Sequence, residues 1–118
     1  TSYGLNDYLT SAAPFASQRH TRFDQIRRPG QTVHVLLMAF RGEYAGSDHV
    51  HATGWFGTPE QAAGRAASQV QTNAVAGELG DPTAKGNWSF LDGHAQTLPF
   101  ESLGSGPTAN RFNPSSSN

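Results

Sequence analysis

Small apolar residues recur at helical spacing in the middle of the chain. The positions are Ala62, Ala63, Ala66, Ala67, Val70 and Ala74. Thr58 can cap such a helix because its hydroxyl accepts a hydrogen bond from an unpaired backbone N–H group, and Pro59 suits the first helical position. Gln61, three residues after the cap, completes a capping box. The pattern therefore predicts a helix over residues 58–79 whose alanine stripe lies close against a sheet.

Apolar residues alternate in residues 32–41, which is typical of a strand. One predicted face carries Val33, Val35, Leu37 and Ala39, and the other carries His34, Leu36, Met38 and Phe40. Residues 42–48 are expected to form a hairpin connection, after which residues 50–56 return as a strand. Residues 23–26 are a further short strand in this interpretation, since a turn signal follows them.

A first helix is predicted over residues 4–13, because Leu5, Tyr8 and Leu9 share one helical face and Pro14 ends the pattern. Together these elements predict an α+β fold with the order α-β-β-β-α. Its three-stranded antiparallel sheet would carry both helices on one face, as a two-layer sandwich.

Residues 80–118 are rich in Gly, Pro, Ser and Asn, yet they also contain large apolar side chains, which disordered tails normally lack. These are Trp88, Phe90, Leu91, Leu98, Phe100, Leu103 and Phe112. We therefore divide the chain into a domain at residues 1–79 and an extension that folds back over the sheet face of Leu36, Met38 and Phe40. The alternative is that this apolar face pairs with another subunit.

Charge is nearly balanced, because eight basic and nine acidic residues give a formal net charge of −1. No global attraction to nucleic acid follows from that sum. Four of the eight basic residues nevertheless lie within ten positions, at Arg19, Arg22, Arg27 and Arg28.

Without cysteine the chain has neither a disulfide framework nor a thiolate zinc site, and no apolar run is long enough to span a membrane. The compartment stays open, with an intracellular one favoured.

Three stretches form a recognisable series along the chain. They are Leu5-Asn6-Asp7-Tyr8, the alternating residues 33–39, and residues 52–67 with Gly54, Thr58 and the alanines at 62, 66 and 67. Over residues 4–79 this series resembles the double-stranded-RNA-binding domain family. The resemblance implies the α-β-β-β-α fold and recognition of duplex RNA by its shape.

The resemblance also implies which residues contact RNA. The family grips a duplex through its first helix, the loop after its first strand and lysines that open its second helix. The candidate RNA contacts that remain in these regions are Asn6, Asp7, Arg27, Arg28 and, one turn into the second helix, Arg65. The lysine positions hold Pro59, Glu60 and Ala63. None of these is basic, and the Glu60 carboxylate repels phosphate, so the implied affinity for duplex RNA is weak.

The alternative function is a protein-interaction or dimerisation module on the same fold, with RNA binding lost. Its contact surface would be the sheet face of Leu36, Met38 and Phe40 or the alanine-rich helix, and its partner a second copy or another protein. We do not expect an enzyme or a cofactor, because the motifs include no nucleophile–base pair and no phosphate-cradling glycine loop. No metal site is expected either, since His49 and His51 lack an obvious third ligand.

Overall fold

The computed structural model describes residues 3–107 and 109–115, and that part of the chain contains one α-helix and seven short strands. The strands are β1 Tyr3–Asn6, β2 Val35–Leu37, β3 His49–Val50, β4 Lys85–Ser89, β5 Ala95–Pro99, β6 Gly104–Gly106 and β7 Ala109–Asn110. The helix is α1, Pro59–Ala67. Short 3-10 turns lie at Asp7–Leu9, Ala16–Gln18, Phe23–Gln25, Pro29–Gln31, Ala52–Gly54 and Phe100–Leu103.

The strands form one three-stranded sheet and two hairpins. The sheet has the order β2-β1-β3, with β1 antiparallel to β2 and parallel to β3. Strand β4 pairs with β5, and β6 pairs with β7, both antiparallel. The predicted α+β class is confirmed and a three-stranded sheet is present, but the sheet is mixed and not antiparallel as predicted. The predicted meander within residues 32–56 is wrong, because β2 and β3 lie on either side of the N-terminal strand.

Strand β1 replaces the predicted first helix over residues 4–13. A side chain at Gly4 would overlap the sulfur of Met38, so glycine lets β1 pass close to its neighbours. The buried amide of Asn6 donates to the carbonyls of Val33 and Phe112, at 2.9 and 2.7 Å. These long-range bonds hold the segment extended, and they outweigh the local helical spacing of its apolar residues. The helix–strand order that the family resemblance implies is therefore not confirmed.

Helix α1 begins as predicted but ends at Ala67, twelve residues before the predicted end. Thr58 Oγ1 accepts from the Gln61 backbone N–H, and Gln61 Oε1 accepts from that of Thr58. Beyond the helix, the Gln69 carbonyl accepts from Ala39 N and the Gln71 N–H donates to Leu37 O. Pairing with the extended chain after β2 thus ends the helix. Among the described residues, no helix has the length and apolar character needed to cross a bilayer.

A single core lies on the inner face of the sheet. It contains Leu36 of β2, Met38 just after that strand, the alanines of α1 and the large side chains of the C-terminal extension. The extension contributes Trp88, Phe90, Phe100, Leu103 and Phe112. Helix and extension therefore share one core with Leu36 and Met38, instead of covering opposite faces as predicted. Phe40, expected on the same face, is 56% exposed.

The outer face of the sheet carries Tyr3 and Leu5 from β1 and the half-buried Val35 and Leu37 from β2. Tyr3 lies opposite Leu37 and Leu5 lies opposite Val35. Because the helix and the aromatic cluster lie on the inner side, this face stays open at β1, where Tyr3 is 67% exposed.

Replacing Phe112 by alanine should lower the free energy of unfolding by about 3–5 kcal/mol, because a fully buried ring leaves a cavity. Its ring packs against those of Trp55 and Phe56, at centroid distances of 5.1 and 5.8 Å. The matched control is Phe15→Ala, where the ring is 67% exposed and a change within about 0.5 kcal/mol is expected. Urea unfolding measures both variants, and equal stabilities would contradict a core built on the extension.

Candidate nucleic-acid interface

The clustered arginines lie on a segment built from three 3-10 turns, residues 15–31, which we call the arginine segment. Side-chain amides stabilise two of the turns: Gln18 Oε1 accepts from Phe15 N, and Gln25 Oε1 accepts from Arg22 N. Turns this short cannot bury a wide face. The charged side chains of the segment therefore project from the surface.

Four arginines and one aspartate give the arginine segment a formal charge of +3, whereas the rest of the chain, with four basic and eight acidic residues, carries −4. Arg19, Arg22, Arg27 and Arg28 are all exposed. Arg22 Nη2 lies 2.5 Å from Asp24 Oδ2, but this ion pair is exposed and only weakly favourable. Arg19 Nε donates to the carbonyl of Ala13, at 2.8 Å. The segment is thus a local positive surface on a chain that is otherwise negative.

An open pocket of about 170 Å³ adjoins this segment. Its walls are Leu5, Leu9, His20, Thr21, Arg22, Phe23, Ile26, His34 and Leu91. Five of these nine are large apolar residues, and Phe23 is 67% exposed at the surface. An apolar cavity therefore opens directly beside the positive surface of the arginine segment.

His20 links the arginine segment to the C-terminal part of the chain. Its Nδ1 lies 2.9 Å from the Gln18 carbonyl and its Nε2 lies 2.8 Å from Ser115 Oγ. A carbonyl only accepts, so Nδ1 carries the proton, and Nε2 of the neutral ring accepts from the Ser115 hydroxyl. No local sequence motif indicates this serine–histidine pair, because its members are 95 residues apart.

The Ser115 N–H already donates to Asn113 Oδ1, at 3.0 Å, and is therefore not free to stabilise an oxyanion. We interpret the His20–Ser115 pair as a tie between segments. The absence of enzymatic activity stays a prediction.

Asn6 and Asp7 are fully buried, so their side chains cannot contact RNA in this conformation. Asn6 holds the carbonyls of Val33 and Phe112, as described above. The Asp7 carboxylate accepts from Thr53, through the backbone N–H at 3.1 Å and the hydroxyl at 2.7 Å. Their assignment as RNA contacts is corrected: the segment that would be a surface helix in the resembled family is here the central strand and the turn after it.

Burial raises the pKa of Asp7, since a carboxylate loses hydration in the protein interior. The hydrogen bonds from Thr53 and the nearby imidazoles of His51 and His49 oppose the rise without cancelling it. Asp7 is therefore a buried acid whose ionisation is linked to folding.

The other predicted RNA contacts remain accessible. Arg27 and Arg28 are exposed on the arginine segment, where the structure groups them with Arg19 and Arg22. Arg65 is exposed on α1, but its Nη1 donates to the carbonyls of Trp55 and Gly54, at 3.3 and 3.4 Å. It therefore braces the loop before the helix.

The predicted protein-interaction residues are separated by the fold. Leu36 and Met38 are 1% and 0% exposed, so their assignment to a contact surface is corrected. Phe40 is exposed beside a groove lined in part by Arg41 and Leu79. Tyr3 and Leu5 alternate as strand residues do, but the helical spacing of Leu5, Tyr8 and Leu9 conceals the outer sheet face in the sequence.

The two strand histidines lie together, with ring centroids of His49 and His51 separated by 4.9 Å. His49 Nδ1 also contacts Asp48 Oδ1 at 2.7 Å, which lowers the pKa of that exposed carboxylate. Within residues 3–107 and 109–115, no group of three or more His, Asp or Glu side chains is arranged to hold a metal ion.

Comparison with family models, curated proteins and solved structures finds no match to this chain.

Asp7→Asn removes the buried charge while keeping the side-chain shape. Because the folded-state pKa lies above the unfolded value of about 3.9, the stabilisation from Asp7 is present below that pH and is lost as pH rises through the folded-state pKa. The stability of the variant minus that of the natural protein should therefore increase over this interval and level off above it. Urea unfolding at a series of pH values measures the difference, and altered hydrogen bonds add only a constant offset. A difference that declines as pH rises would contradict the burial of an ionising carboxyl group.

Proposed function

We propose that this protein binds nucleic acid through the arginine segment, residues 15–31. The observation that carries the proposal is the charge distribution: a net +3 on exposed turns, within a chain whose remaining residues carry −4. Guanidinium groups form bidentate hydrogen bonds with phosphate oxygens and keep their charge at every physiological pH. An anionic polymer would therefore be attracted to this face and repelled by the rest of the surface.

The net charge of the arginine segment limits how many phosphates it can neutralise, and this number sets the strength of binding. Each neutralised phosphate contributes about −0.9 to the slope of log affinity against log salt for a duplex, and about −0.7 for a single strand. Four arginines and Asp24 leave the segment with a net charge of +3, so it can neutralise about three phosphates. We therefore expect a slope of roughly −2 to −3, which corresponds to modest affinity that is lost at high salt.

Shape recognition of duplex RNA, as the family resemblance implies, has less support. That grip needs a first helix in one minor groove and basic residues at the start of a second helix. Here Asn6 at the end of β1 and Asp7 in the turn after it are buried, and Glu60 occupies the first turn of α1. Phosphate contact from the arginine segment requires neither of those regions.

A second candidate function is self-association through the outer sheet face. Tyr3 and Leu5, 67% and 39% exposed, adjoin Val35 and Leu37, and a pocket of about 220 Å³ opens beside them. Apolar side chains grouped on an open sheet face are a feature of interaction sites. In a symmetric dimer, the outer sheet face of one copy would pack against the same face of the other copy.

Sedimentation equilibrium tests the second candidate. A concentration-dependent dimer should form, and Tyr3→Ser should weaken it, because the change removes apolar contact area from the most exposed side chain of the face. Leu79→Ser is the matched control, since Leu79 is 50% exposed and is absent from the lining of the Tyr3 pocket. A monomer at every concentration would exclude self-association.

Arg27→Glu tests the proposed function. Reversing one charge about 4 Å from a phosphate changes the interaction by about 2 kcal/mol in water, so affinity at low salt should fall by up to about 30-fold. Fluorescence anisotropy with a labelled oligonucleotide, titrated at several salt concentrations, measures the affinity and the slope.

Arg41→Glu is the matched control, because it makes the same change of charge at an exposed arginine outside the segment. We expect it to retain most of the affinity. If the two variants weaken binding equally, net charge and not the arginine segment governs the interaction, and the proposed site is wrong.

A further inference from the structure

The apolar pocket beside the arginines has no role in phosphate binding, yet it adjoins the arginine segment directly. We infer that this pocket receives an unpaired nucleobase, so that the preferred ligand is a single strand of nucleic acid. The inference rests on the proposed function and adds to it the class of nucleic acid and the site of base contact. The lining residues of the pocket and the groups at its edge support it.

The walls of the pocket suit a flat apolar ring. Leu5, Leu9, Ile26 and Leu91 provide aliphatic surface, and the phenyl ring of Phe23, largely exposed, provides an aromatic face. Every base has a π-face, so stacking on such a side chain tolerates any sequence. The cavity is open to solvent, so a base can enter without unfolding the protein.

Two polar side chains at the pocket have unused hydrogen-bonding capacity. Neither the ring nitrogens of His34 nor the hydroxyl of Thr21 has a hydrogen-bond partner in the part of the chain that the structure describes. Both ring nitrogens of His20, by contrast, are engaged with Gln18 and Ser115. An apolar cavity with a few convergent polar groups is the usual form of a site for a small ring system. His34 and Thr21 can therefore bond to the polar edge of a base.

Charge selects a nucleotide over a neutral apolar ligand. Arg22 is part of the pocket wall, and Arg27 lies one residue beyond the Ile26 wall. A base in the pocket would leave its sugar and phosphates at this positive rim. One ligand class thus accounts for the apolar walls, the free polar groups and the arginines.

Only an unpaired base can enter. In a duplex the base faces are stacked and the pairing edges are occupied, and extruding a base costs the energy of unstacking and unpairing. A duplex would therefore contact the arginines alone, whereas a single strand gains the pocket as well. We expect a preference of about tenfold for single strands, the scale of one base–aromatic stack.

The experiment compares four probes on the full chain by fluorescence anisotropy at low salt. These are a short labelled RNA strand, the same sequence as DNA, its annealed duplex, and an abasic strand with the same number of phosphates. The variants are Phe23→Ala and His34→Ala, with Phe15→Ala as the matched control. Phe15 and Phe23 are equally exposed at 67%, but Phe15 does not line the pocket. Circular dichroism verifies that each variant is folded.

The expected result is that both single strands bind about tenfold more tightly than the duplex and the abasic strand. Phe23→Ala should remove that preference, His34→Ala should reduce it, and Phe15→Ala should leave it unchanged. Equal affinity for all four probes, or an equal loss with Phe15→Ala, would overturn the base pocket. If Arg27→Glu still weakened every probe, the proposed function would survive that failure. If none of the probes bound, both would be wrong.

Discussion

The structure depends on the passage of one short strand through the centre of the sheet. Strand β1 lies between β2 and β3, where a side chain larger than hydrogen at position 4 would collide with Met38. At the end of the strand, the buried Asn6 amide bonds to backbone carbonyls 27 and 106 residues away in sequence. A buried amide left without these partners would cost about 1–3 kcal/mol, so the residue fixes how the beginning, middle and end of the chain meet.

That constraint also determines which residues face solvent. Since β1 is central, Asn6 and Asp7 turn inward, and the exposed positive charge is concentrated in the turns of the arginine segment. Tyr3 and Leu5 turn outward for the same reason, because side chains alternate along a strand. The outer sheet face and the Leu5 wall of the base pocket therefore both depend on the position of β1. Leu5 belongs both to the outer face and to the pocket wall, which makes the two candidate surfaces neighbours.

Local signals were predictable from the sequence and long-range ones were not. Thr58, Pro59 and Gln61 define the start of α1 through contacts within four residues, and the structure confirms them. The aromatic content of the extension correctly indicated a packed segment, since its rings lie in the core. The spacing of Leu5, Tyr8 and Leu9 fits a helix as well as a strand, and only partners far along the chain decide between them. The same holds for the early end of α1, for the His20–Ser115 contact and for a pocket assembled from four separate stretches.

The central claim is that nucleic acid binds this protein at the arginine segment. An NMR titration of the isotope-labelled protein with a single-stranded oligonucleotide tests it most directly. The account predicts that backbone amide shifts change first in residues 19–28 and around His34 and Leu91, while the amides of α1 stay unchanged. Shifts centred on the opening turn of α1 or on the exposed Tyr3 would contradict it, as would a spectrum that does not change at low salt.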